Sequence, residues 1–190
     1  MGHRIRRRTI APEPVRSGKV RFLRTAPVVF SPVDNKTLFF AGNDIFKTLD
    51  GGNSWQTISP DLSREAWDIP NSVGIYTTEQ LKTMPRRGVV YTLAPSYQNI
   101  NVLWAGTDDG LIHITKDGGK TWKNITPPAI TAWSKISMIE ASRFDEQTAY
   151  VAVNRIRCDD LQAYIYKTTD GGASWKLITT GLPNEPINSV

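Results

Sequence analysis

The chain has almost none of the residues on which metal, redox and nucleophilic chemistry depend. Of its 190 residues, one is cysteine and two are histidine. Cys158 alone can form no intrachain disulfide. His3 and His113 lie far apart, and no His/Cys spacing makes a zinc site, so neither a metal nor a cofactor is expected. His113, in Leu111-Ile112-His113-Ile114-Thr115, falls on the opposite strand face from Ile112 and Ile114. No stretch reaches the ~18 apolar residues of a membrane span. The arginines near the start are followed by no apolar h-region, so no signal peptide is expected within this chain. No phosphate loop, dinucleotide fingerprint or Ser-His-Asp set occurs.

Charge of one sign is scarce outside a short stretch. Residues 1–24 hold eight of the 23 Lys/Arg and one of the 18 acids, Glu13, leaving 15 basic and 17 acidic residues for the rest. An Arg-rich stretch can meet nucleic acid or an anionic surface. No basic stripe in the body continues such a contact, which argues against nucleic acid as a partner. Residues 1–24 read as a flexible basic leader.

What the chain does have is one motif three times. Thr48-Leu49-Asp50-Gly51-Gly52-Asn53-Ser54-Trp55, Thr115-Lys116-Asp117-Gly118-Gly119-Lys120-Thr121-Trp122 and Thr168-Thr169-Asp170-Gly171-Gly172-Ala173-Ser174-Trp175 share Thr-x-Asp-Gly-Gly-x-(Ser/Thr)-Trp. A single Asp-Gly-Gly marks only a turn, whereas three octapeptides in the same strand context mark a repeat architecture. Apolar or alternating stretches precede each copy, and Ile58, Ile125 and Ile178 follow, which spells strand, tight turn, strand. The glycines supply positive φ. The Asp can accept from turn amides and from the hydroxyl four residues on. The Trp brings a large apolar face and a ring N–H that needs a partner.

Each octapeptide closes a unit of about four short strands, the make-up of a propeller blade. The fold class expected is all-β: a partial β-propeller of about three four-stranded antiparallel blades. The division is 1–24 leader, 25–60 first blade, 61–87 insertion, 88–128 second blade, 129–182 third blade, and 183–190 the start of a further one. Closed propellers have roughly four to eight blades, so the chain reads as part of a larger protein. Arrays without end caps expose apolar faces that drive association. Val28, Phe30 and Phe40 at one end, and Ile165, Leu177 and Ile178 at the other, point to self-association or marginal stability of the isolated chain.

The octapeptide resembles the Asp-box, or bacterial neuraminidase repeat. Leu103-Trp104-Ala105-Gly106-Thr107-Asp108-Asp109-Gly110-Leu111, Ile139-Glu140-Ala141-Ser142 and Thr148-Ala149-Tyr150-Val151-Ala152-Val153-Asn154 resemble the bacterial sortilin-type, glycosyl hydrolase-like repeat family. The likeness covers about residues 25–190 and implies an exported, extracytoplasmic location. In that family the box lies at the propeller periphery, away from the central site. The resemblance therefore implies structural roles for Thr48, Asp50, Gly51, Gly52, Ser54, Trp55, Thr115, Asp117, Gly118, Gly119, Thr121, Trp122, Thr168, Asp170, Gly171, Gly172, Ser174 and Trp175.

No catalytic residue is assigned. A sialidase-like mechanism needs an arginine cluster, a Tyr activated by a Glu, and an acid/base Asp; Arg143, Arg155, Arg157 and Glu140 do not make that set. Arg155 and Arg157 read as solvated loop residues. A xyloglucanase-like mechanism needs two carboxylates facing across a cleft. Asp108, Asp109, Asp159 and Asp160 have the chemistry, but Asp108-Asp109-Gly110 reads as a turn and Asp159-Asp160 as part of a solvated loop. The competing class is a binding scaffold, since propellers present recognition loops on a rigid frame. Trp67 and Tyr76 in the insertion are its candidate contacts, with protein or glycan as partner. The expected function is a non-catalytic propeller segment. The alternative is part of a glycoside hydrolase whose catalytic residues lie mostly outside these residues.

Overall fold

The computed structural model describes residues 9–66, 69–70, 72, 78–79 and 84–190. Among them, twelve short strands form three four-stranded antiparallel sheets, each a meander in chain order. The first sheet comprises β1 (Val28–Phe30), β2 (Leu38–Ala41), β3 (Ile45–Thr48) and β4 (Gln56–Thr57). The second comprises β5 (Val90–Pro95), β6 (Leu103–Thr107), β7 (Ile112–Thr115) and β8 (Lys123–Asn124). The third comprises β9 (Lys135–Ala141), β10 (Ala149–Asn154), β11 (Ile165–Thr168) and β12 (Lys176–Leu177). This is the all-β blade architecture that the repeats specify.

Burial follows position in the sheet. Every residue of β6 and β7 is buried, because the middle strands are covered on both faces by neighbouring sheets. The outer strands β4, β8 and β12 are two residues long, and all six of their residues are exposed. Short edges carrying Lys, Gln and Asn offer little template for stray pairing.

The core is a series of layers between sheets. Phe39 and Ile45 of the first sheet, with Ile58 and Leu62 that follow it, pack on Val90, Leu93 and Leu103 of the second. Trp104, Ile112 and Ile125 of the second pack on Ile136, Ile139 and Val151 of the third. A third, smaller cluster joins Phe46 to Val15 and Val20, with Phe40 and Trp55 against it. Val15 belongs to α1 (Glu13–Arg16), which starts at Pro12 and Glu13 and is closed by Ser17. Residues 9–24, read from sequence as a flexible leader, thus cover the outer face of the first sheet. Phe40, expected at an open end, lies 6.3–6.5 Å from the rings of Phe22, Phe46 and Trp55. Val28 and Phe30 are exposed, at 58% and 63%.

A second repeat organises the turn between the first two strands of each sheet. It reads Ser-x-x-(Asp/Asn)-x-x-(Thr/Val), at Ser31 to Thr37, Ser96 to Val102 and Ser142 to Thr148. The Ser amide donates to the carbonyl of the last residue in all three, at 2.9–3.0 Å. Thr37 and Thr148 donate their hydroxyls to Asp34 and Asp145 at 2.7 and 2.6 Å. These local side-chain bonds replace ladder bonds where the strand reverses.

Candidate functional site

The three octapeptide hairpins are built alike. The Thr hydroxyl donates to Oδ1 of the Asp at 2.8 Å in every copy. The same hydroxyl accepts the amide of the second glycine at 2.9–3.0 Å. The Ser/Thr four residues on donates its amide to Oδ1 and its hydroxyl to Oδ2. These bonds hold the carboxyls of Asp50, Asp117 and Asp170 at about 2. At Asp50 the Ser54 amide is the largest cause; at Asp117 and Asp170 the hydroxyls of Thr121 and Ser174 lead. A carboxylate stabilised in this way is a turn acceptor and a poor proton donor.

The Trp works across the sheet boundary. Trp122 donates its ring N–H to the carbonyl of Ile58 at 2.7 Å, and Trp175 donates to that of Ile125 at 2.8 Å. Trp55 donates to the carbonyl of Ile10 at 2.7 Å. In each case the second glycine lies where a Cβ would run into that same isoleucine. The motif therefore completes a turn and also clamps its sheet onto the segment before it.

The carboxylates considered for catalysis lie at the other end of the sheets. Asp108 and Asp109 form the β6–β7 turn, and Asp159 and Asp160 lie in the β10–β11 connection. Asp108 Oδ1 accepts the Val89 amide at 2.9 Å, and its Oδ2 is 3.4 Å from Arg157. Asp109 is buried and accepts from the Thr107 hydroxyl at 2.5 Å and from the Arg64 amide at 2.9 Å. Burial is the main cause that raises its carboxyl above the usual range. Asp160 accepts from the Tyr164 hydroxyl at 2.8 Å and pairs with Arg155 at 3.4 Å. Asp159 takes a left-handed backbone, φ 57°, closing a 3-10 turn over Ile156–Cys158. Arg157 is exposed, as expected of a solvated loop residue, and lies 3.4 Å from Asp108; Arg155 is partly buried, pairs with Asp160 and lies over the Tyr164 ring at 5.2 Å. The structure gathers these groups on one face as ion pairs and turn bonds. No bond or ion pair joins Asp108 or Asp109 to Asp159 or Asp160 among the described residues.

A polar cavity of about 480 Å³ opens on this face, lined by Asp61, Ser63, Arg64, Arg86, His113 and Asn124. Its arginines are committed to backbone carbonyls: Arg64 to Asp109 and Gly110, Arg86 to Asp61, Ser63 and Arg64. His113 is buried there, and its Nδ1 has no hydrogen-bond partner among the described residues. Burial pulls its pKa down to about 4, so it is neutral near pH 7.

A groove of about 300 Å³ runs over the inner strands β1, β5 and β9, past Phe30, Pro32, Tyr97, Met138 and Glu140. Here Tyr97 Oη is 3.4 Å from Glu140, and Arg143 lies over the Tyr97 ring at 5.1 Å. Sequence reading weighed Glu140 and Arg143 but missed Tyr97. The Ser96 turn shared with Ser31 and Ser142 is the signal that places it in the β5–β6 turn, at the position Arg143 holds after β9. Trp67 and Tyr76, the candidate binding residues, lie outside the described residues.

No helix among the described residues is long and apolar enough to cross a membrane. No family model matches the chain. It is 31% identical over 174 residues to the oligoxyloglucan-reducing end-specific xyloglucanase of Emericella nidulans, covering 87% of this chain and 18% of that protein. The fold is similar to an ancestral GH74 enzyme, with a TM-score of 0.57 and 18% identity over 84% of this chain and 18% of that one. It is similar also to YCF48 from Cyanidioschyzon merolae, with a TM-score of 0.52 and 20% identity over 88% of this chain and 41% of that one. The fold is that of consecutive β-propeller blades. The chain spans less than a fifth of the length of the xyloglucanase it matches.

Proposed function

We propose that the chain is a three-blade segment of a propeller glycoside hydrolase acting on xyloglucan, with the catalytic carboxylates mostly outside residues 1–190. The observation that carries this reading is the 31% identity to a xyloglucan-cleaving enzyme along 87% of the chain. Within it, the octapeptides are Asp-boxes of the bacterial neuraminidase and sortilin-type kind. Their Thr, Asp, Gly, Ser/Thr and Trp residues are structural, and the protein works outside the cytoplasm. A second reading, a non-catalytic scaffold for a protein or glycan, is supported by the carboxylates of Asp108, Asp109 and Asp160 being tied to neighbours. A hydrolytic pair needs one carboxyl to protonate the leaving group and another to activate water or attack.

The test is release of new reducing ends from xyloglucan oligosaccharides, measured for this chain and for the longer protein that contains it. Turnover is expected only from the longer protein. Turnover by residues 1–190 that is lost in Asp108→Asn or Asp160→Asn would move the catalytic pair into this chain. A longer protein inert on xyloglucan but still binding a glycan or protein would favour the scaffold.

A further inference from the structure

The two junctions between sheets follow one plan, yet they end differently at the octapeptide end. Where the second sheet meets the third, two bonds close the surface. Lys116 donates its ammonium to Gln147 Oε1 at 3.0 Å, and Asn99 donates Nδ2 to Glu146 Oε2 at 3.0 Å. Beneath them Trp104, paired in register with Ile114, is fully buried.

The repeats give the matching positions where the first sheet meets the second. Leu49 stands in place of Lys116 and Asn101 in place of Gln147. Asp34 stands in place of Asn99 and Ile100 in place of Glu146. Neither pair can form the sealing bond, because each sets an apolar side chain against a polar one. Phe39 replaces the larger Trp104, and Lys47 replaces Ile114. A crevice of about 280 Å³ results, with both walls inside residues 34–118. Its floor is Phe39, Ile58 and Leu103, all buried, and its lips are Leu49 and Ile100, 58% and 38% exposed.

Lys47 places a positive charge in this apolar wall. It is half-buried, and its ammonium has no hydrogen-bond or ion-pair partner among the described residues. Its counterpart in the third sheet, Lys167, lies over the Tyr150 ring at 5.3 Å. An ammonium partly withdrawn from water and left unpaired is a seat for an anion. Asp34 shares the crevice, but its carboxylate is taken by the Thr37 hydroxyl at 2.7 Å and the Lys36 amide at 3.1 Å. Asn101, exposed at the rim, has a side-chain amide that can donate.

We propose that this crevice binds a small carboxylic acid with an apolar body. The body lies on Phe39, Ile58 and Leu103 between the Leu49 and Ile100 lips, and the carboxylate meets Lys47, with Asn101 beside it. The volume falls at the small end of ligand pockets, roughly 300–1,000 Å³, which suits one ring or a short chain. The site lies at the end of the sheets opposite Asp108 and Asp160, and the inference is independent of the glycoside hydrolase reading.

Calorimetry and methyl NMR on the full chain test it with phenylpropionate. Phenylpropanol and phenylpropylamine are the matched neutral and cationic probes. Phenylpropionate should bind saturably, with a Kd of about 1 mM or tighter, and shift the methyl signals of Ile58, Ile100 and Leu103. Lys47→Gln should weaken it at least about tenfold, the loss of one charge-assisted bond, and leave phenylpropanol unchanged. Leu49→Lys/Asn101→Gln installs the bond that Lys116 and Gln147 make, and should abolish binding without lowering the thermal midpoint. Ile100→Trp, at the exposed lip, is the second blocking variant if that double variant does not fold. Absence of phenylpropionate binding, equal affinity for all three probes, shifts confined to other residues, or affinity undiminished by Lys47→Gln or by a folded blocking variant would each overturn the proposal.

Discussion

Gly118→Ala and Gly119→Ala differ by one position, yet the structure separates their costs. Both residues have positive φ, +74° and +95°. A non-glycine residue there costs roughly 1 kcal/mol from backbone sterics alone. At Gly118 a Cβ would meet only the Asn101 amide oxygen, at 3.2 Å, at the end of a side chain that can move. At Gly119 it would lie 2.5 Å from the Ile58 carbonyl oxygen and 2.7 Å from the Ile58 Cβ. That carbonyl is held by Trp122, and Ile58 is buried among Phe39, Ile45 and Leu103, so neither atom can retreat cheaply. Overpacking of this kind adds about 1–3 kcal/mol. The expected losses are therefore about 1 kcal/mol for Gly118→Ala and about 2–4 kcal/mol for Gly119→Ala. Urea melts followed by Trp fluorescence measure both, and Gly119→Ala should also alter the Trp122 signal in the folded baseline. Equal losses would refute the argument, because the second glycine would then serve only the turn and not the approach of the preceding blade.

Two pH effects follow from the buried and bonded groups. Asp50, Asp117 and Asp170 titrate near 2 in the folded chain, against about 3.9 unfolded. The stability they contribute is complete above pH ~3.9 and is lost as pH falls toward ~2, so NMR carboxyl titrations should show three midpoints near 2. Midpoints near 3.9 would mean that the hairpin bonds do not persist in solution. His113 moves the other way in charge: its folded pKa near 4 lies below the unfolded value, about 6.5, so the neutral ring belongs to the fold. Its contribution is complete above pH ~6.5 and is lost as pH falls through ~4, about 3 kcal/mol in all. His113→Gln should flatten the stability curve over that window, and an unchanged slope would rule out burial of the ring.

Much of this was written locally. The octapeptides name their own turn, because Thr, Asp, Gly and Ser/Thr satisfy one another within eight residues. Strand number and sheet order follow from three such hairpins joined by short turns. The Ser31, Ser96 and Ser142 turns were equally local but harder to see, since Val102 replaces the Thr of the other two and Asn99 replaces their Asp. The packing of residues 9–24 was hard to read, because basic residues dominate the composition there while Val15 and Val20 are what pack.

The sequence alone determined the repeat, the all-β class and the acceptor role of each Asp, since all depend on contacts between residues a few positions apart. Only the tertiary structure decided where each Trp N–H goes. Its partners are 45, 64 and 50 residues away, on the segment before its own sheet. It likewise decided that Arg157 meets Asp108 and that Arg64 meets Asp109, pairings set by how one blade lies against the next. The physical reason is one of range: a turn closes on its own side chains, whereas a blade face is satisfied only by another sheet.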